Sequence, residues 1–197
     1  MQLTLLKYAN FSHSRDIDNK NLRQQVKQKY GVAVRRLDNF TLCALAAVAE
    51  LGGDIHHYKK LSLISCAQHF SIELIQQMLL DLQQNHAIKP LDFVATVGNA
   101  ANFYIAKEFA IDGCNLFVGA DKDALSKSLL LSALETQTDT ASAILLLIWQ
   151  ETEQQRSCHA LLLAHPQLHS HYTSKQNLKN LNELATMALP AIIDVTL

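Results

Sequence analysis

The chain has 197 residues, 49% of them hydrophobic and 18% charged, with a formal net charge of −1. That length supports one domain with a sizeable core, and near-neutrality excludes nucleic acid and an acidic membrane surface as electrostatic partners. The apolar excess exceeds what a soluble monomer needs and points to a face meant for a partner.

Met1-Gln2-Leu3-Thr4-Leu5-Leu6 carries no basic segment and no long apolar region, so no signal peptide is expected. Residues 3–8 read as a strand, 10–20 as a polar loop, and 22–30 as a short helix. Arg35-Arg36-Leu37-Asp38 precedes a strong helix over 39–51, with Leu42, Leu45, Ala46 and Ala49 on one face and Gly52-Gly53 ending it. A second strand is predicted over 61–66. Ser71 can cap a helix in which Ile72, Ile75, Leu79 and Leu82 repeat at helical spacing to about Asn85. Residues 89–93 read as an irregular link.

The run from Ala95 to Asp123 organises the rest. A helix is predicted over 97–111, interrupted only by Asn99, Asn102, Lys107 and Glu108. A helix that is apolar nearly all round is a buried one. Asp112-Gly113 breaks it, with Gly113 in the left-handed C-terminal position. A strand over 115–118, a sharp turn at Gly119-Ala120, and a helix capped by Asp121 and running to about Glu135 follow. Buried helix, strand, tight turn, helix is the geometry of a nucleophile elbow. Its apex is Lys122, or Asp121 if the turn is one residue tighter. Neither is the usual acyl nucleophile, and a lysine sets a cation against the positive end of a helix dipole.

Residues 143–149 form a continuous apolar run, too short to span a bilayer and suited to a strand covered on both faces. A charged hairpin loop over 151–156, a returning strand over 158–164, polar chain over 165–174 and a terminal helix over 175–189 complete the reading. The division expected is a main domain over 1–166 and a helical C-terminal extension over 167–197. Cys43, Cys66, Cys114 and Cys158 show no CxxC pair and read as reduced thiols of a cytoplasmic protein. His159, His165, His169 and His171 cluster, but no cysteine or carboxylate pattern accompanies them, so no metal is expected.

The central run resembles the N-terminal half of a beta-ketoacyl synthase, of the thiolase-like fold. Asn99-Ala100-Ala101 matches the helix motif of that family. Gly113-Cys114-Asn115-Leu116 matches its turn, with cysteine in place of proline, and Lys122 falls at or next to the nucleophile position. Arg35-Arg36-Leu37 extends the match upstream, whereas Asn102 stands where the family has a small residue.

The resemblance implies an α/β fold, half of a thiolase-like layered sandwich in the order βαβααβαββ with a buried central helix. Too little chain follows the last predicted strand for a second half, so the family's two catalytic histidines are expected to be absent. The implied role is a catalytically silent, chain-length-factor-like subunit, similar to short ones of aryl-polyene pathways. Its partner would be a complete ketosynthase in a heterodimer, which would receive the acyl carrier protein; no cofactor is implied. Gln68, His69, Phe70, Leu74, Met78 and Phe93 are tunnel or gate candidates, with core filling as the plain alternative. Val97, Asn99, Ala100, Phe103, Tyr104, Asn115, Leu116, Phe117, Val118 and Gly119 are partner-interface candidates. Two other classes remain: an acyltransferase or thioesterase using Cys114 or Ser65 with a histidine, and a free-standing α/β binding module.

Overall fold

A computed structural model describes residues 1–58, 60–70, 72–119, 122–140, 142–172 and 174–195. Strand β1 (Gln2–Ser14) leads to helices α1 (Asn19–Tyr30) and α2 (Asn39–Leu51), then strand β2 (Leu61–Ala67). Helices α3 (Ile72–Gln83), α4 (Pro90–Ala95) and α5 (Ala100–Glu108) follow, then strand β3 (Asn115–Gly119) and helix α6 (Ala124–Thr138). Strands β4 (Ala143–Glu151), β5 (Gln155–Ala164), β6 (Lys175–Gln176) and β7 (Ala191–Asp194) end the chain. They form one seven-stranded sheet in the order β3-β2-β4-β5-β1-β7-β6. The trio β3-β2-β4 is parallel, while β4–β5, β5–β1 and β1–β7 pair antiparallel.

The apolar run in β4 sits mid-sheet because both its faces are covered. Leu145 and Leu147 join the core beneath α2, and Ile144, Leu146 and Ile148 join the core beneath α6. The strong helix forms as expected over 39–51: the Asp38 carboxylate accepts the Thr41 N–H at 2.9 Å, and Gly52, at φ 76°, ends it. Small side chains (Ala44, Ala46, Ala47) let α2 lie close on the sheet, and every residue from Thr41 to Val48 is buried. No helix among the described residues is long and apolar enough to cross a membrane.

The predicted order of elements holds, with several corrections. β1 continues through the expected loop to Ser14, because β5 supplies a pairing partner as far as Gln155. The expected link at 89–93 is instead α4, with Pro90 at the first helical turn, where its missing N–H costs nothing. The central helix begins at Ala100, not Val97, and ends at Glu108. Its burial is one-sided: Ala101, Asn102 and Ile105 are buried, but Phe103 is 60% exposed. Ala110, not Gly113, takes the left-handed conformation, at φ 52°. Gly113 answers a different need, since a Cβ there would stand 2.5 Å from the Leu61 carbonyl oxygen.

The C-terminal helix expected over 175–189 is replaced by β6, a 3-10 turn at Leu181–Ala185 and β7. Glu183 accepts from the Lys179 N–H at 2.7 Å and from the Asn180 amide at 2.9 Å, local bonds that compete with a helical ladder. Ile192 and Ile193 then extend the sheet beside β1. The helical extension expected over 167–197 is therefore a sheet margin in the residues described. The capping roles expected of Ser71 and Asp121 lie outside the described residues.

Candidate functional site

Parallel strands leave a crevice outside their carboxyl ends, where ligand sites form. Here Gln68, His69 and Phe70 follow β2, and Lys122 lies in the turn between β3 and α6. Trp149, Gln150 and Glu151 close β4. A cavity of about 280 Å³ opens there, lined by Gln68, His69, Lys122, Gln150 and Asn180 among others. Lys122 is exposed, and the helix behind it begins at Ala124.

Beneath the α2 side of this end, four aromatic rings from distant parts of the chain meet. Trp149 stacks flat on Phe40, with centroids 4.1 Å apart and planes at 6°, and its indole N–H donates to the Phe40 carbonyl at 3.0 Å. Phe70 meets Phe40 edge-on at 5.2 Å, and Phe117 lies 5.1 Å from Phe70. A Cβ on Gly98 would stand 2.5 Å from the Phe117 ring, so glycine is what lets the segment before α5 close over it. Beside the stack is a cavity of about 230 Å³, lined by Phe70, Leu74, Asp38, Tyr104 and Leu91 among others. Burial pushes the Asp38 carboxyl above its ordinary range, against the Thr41 hydrogen bonds that lower it.

Asn102 ties the edge of the sheet together. It is fully buried, and its Oδ1 accepts from the Ser65 hydroxyl at 2.7 Å. Its Nδ2 donates to Asn115 Oδ1 at 3.0 Å and to the Leu116 carbonyl at 3.3 Å. One side chain thus links α5 to β2 and β3, which is why a polar residue is tolerated there.

No protein-family model matches the chain, and no curated protein matches it. Solved structures do. The ketosynthase ApeO in complex with its chain length factor ApeC, from Xenorhabdus doucetiae, superposes with a TM-score of 0.63 at 15% identity, over 84% of this chain and 79% of that one. The ishigamide ketosynthase/chain length factor gives 0.67 at 12% identity, over 85% and 63%. A beta-ketoacyl synthase from Burkholderia phymatum gives 0.56 at 8%, over 86% and 60%. This chain has the thiolase-like ketosynthase fold. It spans less than two thirds of the ishigamide and Burkholderia chains.

On that ketosynthase fold the gate candidates separate. Phe70 and Leu74 share the cavity beside the aromatic stack, while Gln68 and His69 line the cavity that holds Lys122. Met78 is half-buried on α3, and Phe93 is 61% exposed on α4; neither lines these cavities. The interface candidates converge. β3 is the open edge of the sheet, with Asn115, Leu116 and Gly119 exposed and Phe117 and Val118 half-buried. Val97, Asn99 and Phe103 are exposed next in space, and Tyr104 lies edge-on to Phe103 at 5.4 Å.

The rival nucleophiles are poorly placed. Ser65 is buried against Asn102, and Cys114 lies just before β3, at the end remote from Lys122. Among the described residues no histidine hydrogen-bonds to either. His13 and His159 are both buried; His159 Nδ1 meets the Tyr8 hydroxyl at 2.9 Å, and burial pulls its imidazole down to about 4. His169 meets the Tyr58 hydroxyl at 3.1 Å. Among the described residues no three metal-ligating side chains gather. Phe40 and Trp149 carry the stack and were not singled out from sequence, since no local spacing joins residues this far apart.

Proposed function

We propose that this chain is a non-catalytic, chain-length-factor-like subunit of a ketosynthase heterodimer that builds polyketide or aryl-polyene acyl chains. The observation that carries this reading is the uncovered apolar margin beside the open β3 edge. Val97 and Phe103 are each at least half exposed there, Leu116 projects from the edge strand itself, and Leu79 on α3 and Phe93 on α4 are uncovered as well. Exposed edges and clustered apolar side chains require a cover, and large apolar interfaces are of the obligate kind.

The active partner supplies the nucleophile and histidines, decarboxylates malonyl units on an acyl carrier protein and condenses them. This chain stabilises that partner, and its aromatic stack bounds the acyl tunnel. Lys122 supports the silent role, because a lysine at the elbow is no acyl nucleophile.

Co-expression with a ketosynthase, followed by size-exclusion chromatography with mass measurement, is expected to give a one-to-one complex. Leu116→Asp should abolish it; a complex indifferent to that change sinks the interface. Phe70→Ala should lengthen the product in the reconstituted pair, and an unchanged product excludes the gate.

A further inference from the structure

The cavity of about 280 Å³ at the carboxyl ends of the parallel strands has two walls, built from distant parts of the chain. Gln68 and His69 after β2, Lys122 after β3 and Gln150 at the end of β4 make one. Lys179, Asn180, Leu181 and Asn182, in the sheet margin between β6 and β7, make the other. This second wall lies in the stretch whose sequence reads as a helix, so no local pattern joins Lys179 to Lys122.

The charges on these walls do not cancel. Lys122 and Lys179 are exposed, and among the described residues neither forms an ion pair. The one described carboxylate on the lining is Glu151, which Arg156 Nε engages at 3.1 Å. Glu183 stands off the lining, its two carboxylate oxygens taken by the Lys179 N–H at 2.7 Å and the Asn180 amide at 2.9 Å. Hydrogen-bond donors remain. Gln150 spends its amide oxygen on His159 Nε2 at 3.3 Å, which leaves its NH2 group. Among the described residues the side chains of Gln68 and Asn182 have no hydrogen-bond partner.

We infer that this cavity binds a small dianionic metabolite, a dicarboxylic acid or a phosphate monoester. The shared chemistry is a compact polar body with two anionic oxygens. One oxygen answers each lysine, and the amide N–H groups between them take hydroxyls or further oxygens. A monocarboxylate leaves one lysine unanswered. The volume, about 280 Å³, falls just below the roughly 300–1,000 Å³ of sites for drug-sized ligands, which selects a compact ligand. The inference involves neither the β3 edge nor a ketosynthase, so it and the pairing proposed above can fail separately.

The test is isothermal titration calorimetry of the full chain with malate, glycerol 2-phosphate and acetate, at about 50 mM salt. At least one of the two dianions should bind one per chain with a Kd below about 1 mM, and the tighter one names the source. Acetate should bind about tenfold more weakly or not at all. Lys122→Gln and Lys179→Gln should each weaken dianion binding about tenfold, and together should abolish it with the circular dichroism unchanged. Lys179→Arg keeps the charge and should keep the affinity within about threefold. Lys175→Gln, on β6 and off the lining, should change nothing. Absence of binding by both dianions up to about 10 mM overturns the proposal. So does binding that survives the paired change, or acetate binding as tight as that of the dianions.

Discussion

Helices α2 and α3 are both apolar in sequence, and they meet opposite fates. Between Thr41 and Val48 every residue of α2 is buried, packed on the sheet and on α1 and α5. Along α3 no described side chain is buried; Leu79 is 60% and Leu82 55% exposed. α2 is rich in alanine, which permits close approach to a surface that the same chain provides. α3 carries a stripe of bulky Ile and Leu against Gln and Asp, the pattern of a helix waiting for a groove. Apolarity tells that water will be excluded; it does not tell which polypeptide excludes it.

The difference can be tested by equal truncations. Leu45 is fully buried on α2, and Leu45→Ala should cost about 3 kcal/mol of unfolding free energy in urea, from lost transfer energy and a cavity. A loss under about 1 kcal/mol would erase the contrast with α3.

The closed part of the sheet should also respond to acid. His159 is neutral when folded, with its pKa lowered to about 4 by burial, and protonates near 6.5 once unfolded. The unfolded state therefore binds the proton first. The contribution is intact well above pH 6.5 and falls by about 3 kcal/mol as the pH drops through 6.5 to 4. His159→Gln should flatten that slope in denaturation curves across the same range.

Asn102 fastens the open edge to the closed body. Asn102→Ala strips partners from buried Ser65 and from Asn115, and should cost about 1.5 kcal/mol. It should raise hydrogen exchange in β3 before it does so in β4. Smallest of all, Leu79→Ala on α3 should change the chain's own stability by less than about 0.5 kcal/mol, yet weaken assembly with a ketosynthase roughly tenfold. Equal losses in both measurements would mean that α3 is part of this chain's core.

How much of this was legible in sequence follows the same divide. α2 was readable to its ends, because Asp38 and Gly52 mark them and the apolar spacing fills the interval. β2, β4 and the order of elements were readable from apolar runs. The far end of β1 was not, since Asn10 to Ser14 are drawn into the sheet by β5 and carry little pattern of their own. Residues 175–189 looked helical because Leu and Ala recur there, and local Glu183 bonds with the β1 edge decided otherwise. The strand and the helix that flank the expected elbow were readable, and Lys122 lies between β3 and α6, while Ala120 and Asp121 lie outside the described residues. The aromatic stack was invisible: Phe40, Phe70, Phe117 and Trp149 come from four separate elements and loops, joined only by the fold.

Trp149 is the chain's single tryptophan. The indole therefore reports on one place alone, without any label. Its emission should carry the signature of a ring pressed against Phe40 and shielded from solvent at 6% exposure. Whatever displaces Phe40 or Phe70 should shift the colour and lifetime of that light.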